Sequence, residues 1–417
     1  MNNSVSLGNE RYSAFVVDDD PVIIKLIDHC LTRDGFSVTT AKSGEDALAS
    51  IINQRPDCVI LDIMMPGMDG LEVCRRLRET PQLAATKIII TSGKTYQSDR
   101  YSALMLGADA FINKPVHIQS FASQIRRVIE DRIHLTFWGV RGTLPVPGPK
   151  GVRFGGNTSC VSMEFSRGPL LVFDAGTGIK VLSDNLMSRK QANMDIKIFI
   201  SHPHWDHINA LPFFAPLYVR GNNIEILGPC QRNICVEDYI KSQMDGVYFP
   251  ITAQEFGARI NYTNLREGVL DIEQRIKVRT MLLNHPGQCL GYRVEYRNHL
   301  LCYITDNELY PNGSGLRDQG YINKLESFIQ GAAVLITDST YMDAEYPEHI
   351  NWGHSPIGEV IELAHRANVE TLYLFHHDPN QDDAAIERKL ESACNQLAKL
   401  KSKTKCVAPC EGQILII

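Results

Sequence analysis

Long apolar runs are missing from this 417-residue chain; none approaches the ~18 consecutive apolar residues that a membrane-spanning helix requires. The opening segment, MNNSVSLGNE, has no basic stretch followed by an apolar one, so it does not read as a secretory signal. Cysteine clips are missing too. Eleven cysteines are scattered along the chain, and the closest pairs, Cys230/Cys235 and Cys406/Cys410, do not form a CxxC motif. A cytoplasmic, reducing setting without membrane partners is therefore expected. An excess of positive charge is also absent. The formal net charge of −6 leaves no global electrostatic footprint for nucleic acid or acidic membranes. Internal repeats and low-complexity stretches are lacking as well.

What is present is an ordinary folded composition. Hydrophobic residues make up 44% and charged residues 22%, typical of globular domains. The length exceeds one ordinary core, so two domains are expected. In the first ~130 residues short β-rich runs at 14–17, 58–61, 87–90 and 109–113 alternate with amphipathic helices. This alternation predicts a doubly wound parallel α/β sheet, whose functional groups sit at the carboxyl ends of its strands. The last helix, 117–131, runs almost directly into a new strand at 135–138 with no flexible tether, which reads as a stiff junction. The expected domains are 1–133 and 134–417. Beyond the junction short strands dominate, with helices at 356–367 and 382–400, and the reading is a mixed α/β sandwich.

In the first domain, polar residues stand where strands end. Asp18 and Asp19 follow the run at 14–17, Asp62 the run at 58–61, Thr91 the run at 87–90, and Lys114 the run at 109–113. Three carboxylates in one crevice repel each other unless a hard cation such as Mg²⁺ binds. With Mg²⁺ in place Asp62 is a nucleophile for phosphoryl transfer, Lys114 offsets the added charge and Thr91 hydrogen-bonds the phosphoryl oxygens. Asp20 before Pro21 reads as a helix N-cap, and Asp69–Gly70 as turn chemistry. The set VVDDDP, LDIMMPGMDG, TSG and KP resembles the response-regulator receiver family over about residues 12–131. The resemblance implies phosphorylation of Asp62 by a sensor histidine kinase or phosphotransfer protein. It also implies Mg²⁺ on Asp19, Asp62 and the Met64 carbonyl, with Asp18 assisting, and an aromatic switch at Phe111.

The second domain carries Ser201-His202-Pro203-His204-Trp205-Asp206-His207 directly after an apolar strand. Those side chains share neither one helix face nor one strand face; they converge where a strand end turns into a helix start. Imidazole and carboxylate ligands suit Zn²⁺, Mn²⁺ or Fe²⁺. This HxHxDH motif resembles the signature of the metallo-β-lactamase superfamily, and the likeness extends over roughly 134–417. It implies an αββα sandwich and a pair of divalent ions, with zinc the leading candidate. His202, His204 and His285 would hold one ion and Asp206, His207 and His376 the other, with Asp306 shared. His376 is preferred to His377 because it follows its strand immediately. Two such ions activate water and clamp attacking and leaving oxygens, which is the chemistry of hydrolysis.

Asp338 in ITDST and His354 in WGHS, followed by a helix, a strand and His376, resemble the phosphodiesterase branch that includes ribonuclease Z. That branch implies catalysis by Asp206, His354 and Asp338, the histidine stabilising the transferring phosphoryl group and Asp338 orienting it. The expectation is a phosphorylation-controlled phosphodiesterase for a small or cyclic nucleotide or a similar phosphodiester, with homodimerisation through the receiver as one route of control. A lactonase or thioesterase shares the ligands without needing His354 and Asp338. A di-iron redox or oxygen sensor usually has glutamate at the position of His204, and a silent signalling module needs no complete ligand set. No helix-turn-helix segment follows the receiver, so direct DNA binding is not expected.

Overall fold

A computed structural model of the chain describes residues 12–417 except 84, 94–96, 166–167, 190–192, 248, 274–275 and 298. The chain separates into two compact units that divide between Arg132 and Ile133. Among the described residues no helix is long and apolar enough to cross a membrane.

The first unit is one sheet of β1 (Ser13–Val17), β2 (Ser37–Ala41), β3 (Cys58–Asp62), β4 (Lys87–Ser92) and β5 (Ala110–Asn113). All pairings are parallel and the order is β2-β1-β3-β4-β5. The intervening helices are α1 (Pro21–Arg33), α2 (Gly44–Gln54), α3 (Gly70–Arg78), α4 (Gln97–Met105) and α5 (Ile118–Glu130). They cover both faces and create two cores, one around Phe15, Val59, Leu61 and Ile90, the other around Val16, Ile60, Ile89 and Phe121. Central β3 is accordingly buried along its whole length. The strand order reverses between β1 and β3, and the crevice at that switch point is where this topology places ligands.

Helix starts follow local chemistry. Asp20 caps α1, accepting from Val22 N at 2.8 Å with Pro21 in the first turn. The reading of Asp69–Gly70 as a plain turn needs correction. Asp69 caps α3, accepting from Glu72 N at 2.8 Å. Gly70 begins the helix where a Cβ would lie 2.0 Å from the Asp62 carbonyl oxygen, so only glycine allows α3 to start against β3.

The second unit stacks two seven-stranded sheets. The first contains β6 (His134–Gly139), β7 (Cys160–Glu164), β8 (Leu170–Phe173), β9 (Asp195–Phe199), β10 (Asn223–Pro229) and β11 (Arg259–Leu265). The second contains β12 (Gly268–Glu273), β13 (Ile276–Leu283), β14 (Cys289–Tyr296), β15 (His299–Ile304), β16 (Val334–Asp338), β17 (Thr371–Phe375) and β18 (Lys405–Val407). The last strand, β19 (Ile414–Ile416), returns to the first sheet and pairs antiparallel with β6. Aromatic and aliphatic side chains from both inner faces, among them Phe137, Phe173, Phe199, Tyr292, Tyr303 and Phe375, fill the space between the sheets. The helices α6 (Gly178–Ser188), α7 (Trp205–Ile208) and α8 (Val236–Ser242) and the helices α9 (Gln319–Ile329), α10 (Ile357–Arg366) and α11 (Asp383–Lys399) supply the two outer cores. Helix, sheet, sheet, helix is the αββα layering the motifs imply.

Candidate phosphoacceptor and metal sites

In the first unit β1, β3 and β5 deliver Asp18, Asp62 and Lys114 to the switch-point crevice. The Lys114 ammonium lies 2.5 Å from Asp62 Oδ1 and 2.7 Å from Asp18 Oδ2. Both carboxylates are buried. Burial raises the Asp18 carboxyl above the ordinary carboxylate range despite the hydrogen bonds from Lys114 and the Asp20 amide. Burial depresses Lys114, but the two aspartates outweigh it and hold the ammonium charged. Met64 N donates to Asp62 Oδ2 at 2.7 Å, which keeps the Met64 backbone beside the carboxylate. Asp19 is exposed beside buried Asp18. Thr91 is buried at the end of β4, donating to Leu61 O at 3.2 Å, and half-buried Phe111 lies on β5 in register with Ile90. The donor set is all oxygen, which fits Mg²⁺.

In the second unit all the predicted ligands emerge from carboxyl ends of strands: His202 to His207 after β9, His285 after β13, Asp306 after β15 and His376 after β17. Ligand atoms of His202, His204, His285 and Asp306 lie within 4.8 Å of one another, as do those of Asp206, His207 and His376. Asp306 stands between the sets. Its Oδ2 faces His202 Nε2 at 3.5 Å and His285 Nε2 at 3.8 Å. Its Oδ1 faces His207 Nε2 at 3.3 Å and His376 Nε2 at 3.1 Å. His377 is not grouped with the ligands; it is buried against Phe154.

The rings are held from behind. His207 Nδ1 is 2.8 Å from Asp174 Oδ2, His285 Nδ1 2.9 Å from Gly353 O, His202 Nδ1 3.1 Å from Ser201 Oγ and His376 Nδ1 3.2 Å from Thr340 Oγ1. The opposite nitrogens of His202 and His207 are buried with no hydrogen-bond partner. Orphaned, convergent imidazole nitrogens around a shared carboxylate fit divalent ions. Burial drives His202 well below the ordinary imidazole range, which suits a neutral ligand. His207 is opposed by burial but is pushed well above that range by Asp206, Asp306 and Asp174. Burial opposes the ionised form of Asp306, yet His376, His207 and His202 hold it well below the carboxylate range. Such a site demands positive charge.

The backbone is strained around these side chains. Thr143, Asp174 and His376 have positive φ of 65°, 59° and 60°, at a cost of about 1–3 kcal/mol each. Thr143 N donates to Asp206 Oδ2 at 2.7 Å. A Cβ on Gly353, itself at φ 86°, would lie 2.2 Å from His285 Nδ1.

The response regulator receiver domain family matches residues 14–126, and the beta-lactamase superfamily domain matches residues 171–377. The chain joins a response regulator receiver domain to a beta-lactamase-superfamily domain. Over 117 residues it is 42% identical to the transcriptional regulatory protein AfsQ1 of Streptomyces coelicolor, covering 28% of this chain and 51% of that protein. Over 114 residues it is 35% identical to the alkaline phosphatase synthesis transcriptional regulatory protein PhoP of Bacillus subtilis, covering 27% and 47%. The chain thus spans about half the length of the curated relatives it matches. The crystal structure of the metallo-beta-lactamase fold protein YhfI of Bacillus subtilis aligns with 69% of this chain and 100% of its own, at a TM-score of 0.50 and 16% identity. That likeness carries the fold alone.

Within the beta-lactamase-superfamily domain the sequence reading missed three supports. Asp174 of FDAGTG is fully buried, binds His207, and accepts from Ser201 N at 2.7 Å and Tyr303 Oη at 2.8 Å. Thr340 binds His376 and Asp338. Cys289 Sγ lies 3.6 Å from His202 Nδ1. An aspartate ending an apolar strand just before a glycine turn was the available signal for Asp174; nothing local marks the other two.

Proposed function

We propose that this chain is a two-component response regulator whose output is a dinuclear metal-dependent hydrolase, most closely suited to a small or cyclic nucleotide or similar phosphodiester. Asp62 takes the controlling phosphoryl group from a sensor histidine kinase or phosphotransfer protein. His202, His204 and His285 would hold one divalent transition-metal ion and Asp206, His207 and His376 a second, with Asp306 shared, and such ions would supply water activation and offset developing negative charge.

The observation that supports the substrate class is the pairing of His354 with Asp338. His354 Nδ1 lies 2.7 Å from Asp338 Oδ2, and the ring stacks on His376 with centroids 4.9 Å apart. Asp338 is fully buried and its second oxygen accepts from Thr340 N at 2.9 Å and Thr340 Oγ1 at 2.7 Å. Burial depresses His354, but the Asp338 charge and hydrogen bond dominate and raise it to about 9. The Asp338 partner thus favours the imidazolium form of the ring. That form can donate to a non-bridging phosphoryl oxygen or protonate a leaving alkoxide, while Asp338 fixes its orientation. A lactone develops a single oxyanion and has less use for this second cation.

The test is His354→Ala on the full chain. The rate on a phosphodiester should drop by about 10²–10⁴-fold, the range for a lost general acid, with metal content unchanged. Full phosphodiesterase activity in the variant, or a wild type that cleaves only lactones or thioesters, would transfer the assignment to the ester-hydrolase class.

A further inference from the structure

Cys230 and Cys235 lack the CxxC spacing of a redox clip, yet the fold brings their sulfurs to 3.8 Å. The reason is the turn between them. Gln231 N donates to Ile234 O and Ile234 N to Gln231 O, both at 2.9 Å, so residues 231 and 234 form a hydrogen-bonded antiparallel pair. Arg232 supports the reversal with φ 55°. The next pair outward, 230 and 235, is then a non-hydrogen-bonded one, in which facing Cα atoms stand about 4.5 Å apart. That separation lies inside the range a disulfide spans. Both cysteines are half-buried and residues 232–234 are exposed, so a small oxidant has access. By contrast Cys30, Cys58, Cys74, Cys160, Cys289 and Cys302 are buried.

This turn also holds the loop between β13 and β14. The Gln231 amide donates to Gln288 O at 2.7 Å and accepts from Gln288 N at 3.1 Å. Gln288 ends the short loop 284–288 between β13 and β14, which carries His285 and leads into Cys289, the residue against His202.

We propose that Cys230 and Cys235 form a reversible thiol–disulfide site, closed by a peroxide and reopened by a dithiol, whose closure shifts the loop that carries His285. One thiolate attacks a peroxide oxygen; the O–O bond breaks, a sulfenic acid forms and one water leaves. The second thiolate attacks the sulfenic sulfur; the S–S bond forms, the S–O bond breaks and the second water leaves. Two thiols are oxidised by two electrons, one peroxide is reduced, and both thiol protons end in water. The sulfurs must close from 3.8 Å to about 2.05 Å, and Gln231, next to Cys230, carries that movement to Gln288. The effect on the metals rests on the function proposed above; formation of the disulfide does not.

Hydrogen peroxide applied to the full-length, zinc-loaded protein, followed by alkylation and peptide mapping, tests both parts. A 230–235 peptide lighter by two hydrogens, unalkylated and restored by dithiothreitol, is expected, and Cys230→Ser should abolish it. Zinc retention against a chromogenic chelator should weaken by about 10-fold in the oxidised wild type, the lower end for a disturbed ligand support, with no change in Cys230→Ser. Peroxide that leaves both thiols alkylatable, or links Cys394 to Cys406 instead, overturns the thiol site. A disulfide that forms without altering zinc retention overturns its coupling to the loop. Neither readout uses phosphodiesterase activity, so a failed substrate assignment stays separate.

Discussion

At the scale of single residues, the candidate metal site is defined as much by what stands behind the imidazoles as by the imidazoles themselves. Asp174 contacts no ligand position directly facing the centre; it fixes the His207 ring and so presents Nε2 inward. Asp174→Asn should keep the fold and lower metal affinity by roughly 10–100-fold, the usual consequence of losing such a partner, as read by chelator competition. His354 offers a second test through pH. Its proton is held up to about 9 by Asp338 against the effect of burial, so the acid form is present below that value and lost above it. The phosphodiesterase rate should therefore fall as pH climbs through the alkaline limb. In Asp338→Asn the dominant anionic partner is gone, leaving burial opposed only by the smaller pull of Asp306 and Asp206, so the limb should move to lower pH in a pH–rate profile. An unmoved limb would remove His354 from the role of acid.

At the scale of elements, strand ends hold the candidate site residues and strand edges bear on stability. The apolar runs leading into His202, Asp306, Asp338 and His376 are legible in the sequence because buried strands are continuous apolar segments followed by a sudden polar residue. Strand β14, CLGYRVEY, was not legible: a glycine and two charged residues break its pattern, although most of it is buried. Nor was β19, three residues long, whose role depends wholly on a partner far back in the chain. Ile133 and Ile417 exchange hydrogen bonds at 2.9 and 3.0 Å, and Leu415 and Ile417 pack on the inter-sheet core. Deleting residues 413–417 should expose the β6 edge and cost on the order of 3 kcal/mol from two lost apolar side chains, seen as a lower thermal midpoint of the beta-lactamase-superfamily domain.

At the scale of the whole molecule, the chain joins a receiver domain and a beta-lactamase-superfamily domain on one polypeptide. Phosphorylation of Asp62 would bring about −1.5 to −2 further charges beside Asp18 and Lys114. With Mg²⁺ and a small phosphodonor, wild type should be labelled and Asp62→Asn should not. If receiver state governs the output, hydrolysis or self-association should change between phosphorylated wild type and Asp62→Asn by roughly 5–150-fold, the span of ordinary coupling free energies. Steady-state kinetics and sedimentation on the same samples check this. Identical values in both would separate the receiver from the hydrolase.

Sequence alone was enough for whatever is carried by neighbours in the chain. The receiver motifs and HxHxDH are short, and a strand end turning into a loop or helix places such residues together by local geometry. Capping residues such as Asp20 were legible for the same reason; Asp69 escaped because D-G is also ordinary turn chemistry. The tertiary structure decided what depends on residues far apart. It put Asp306 between two sets of histidines with one oxygen toward each, and turned His376 inward at a strained φ while burying His377 against Phe154. It also seated the Cys230–Cys235 turn on the loop behind His285. These relations come from two sheets packed face to face, and packing is set by shape and burial across the whole core, which no local spacing encodes.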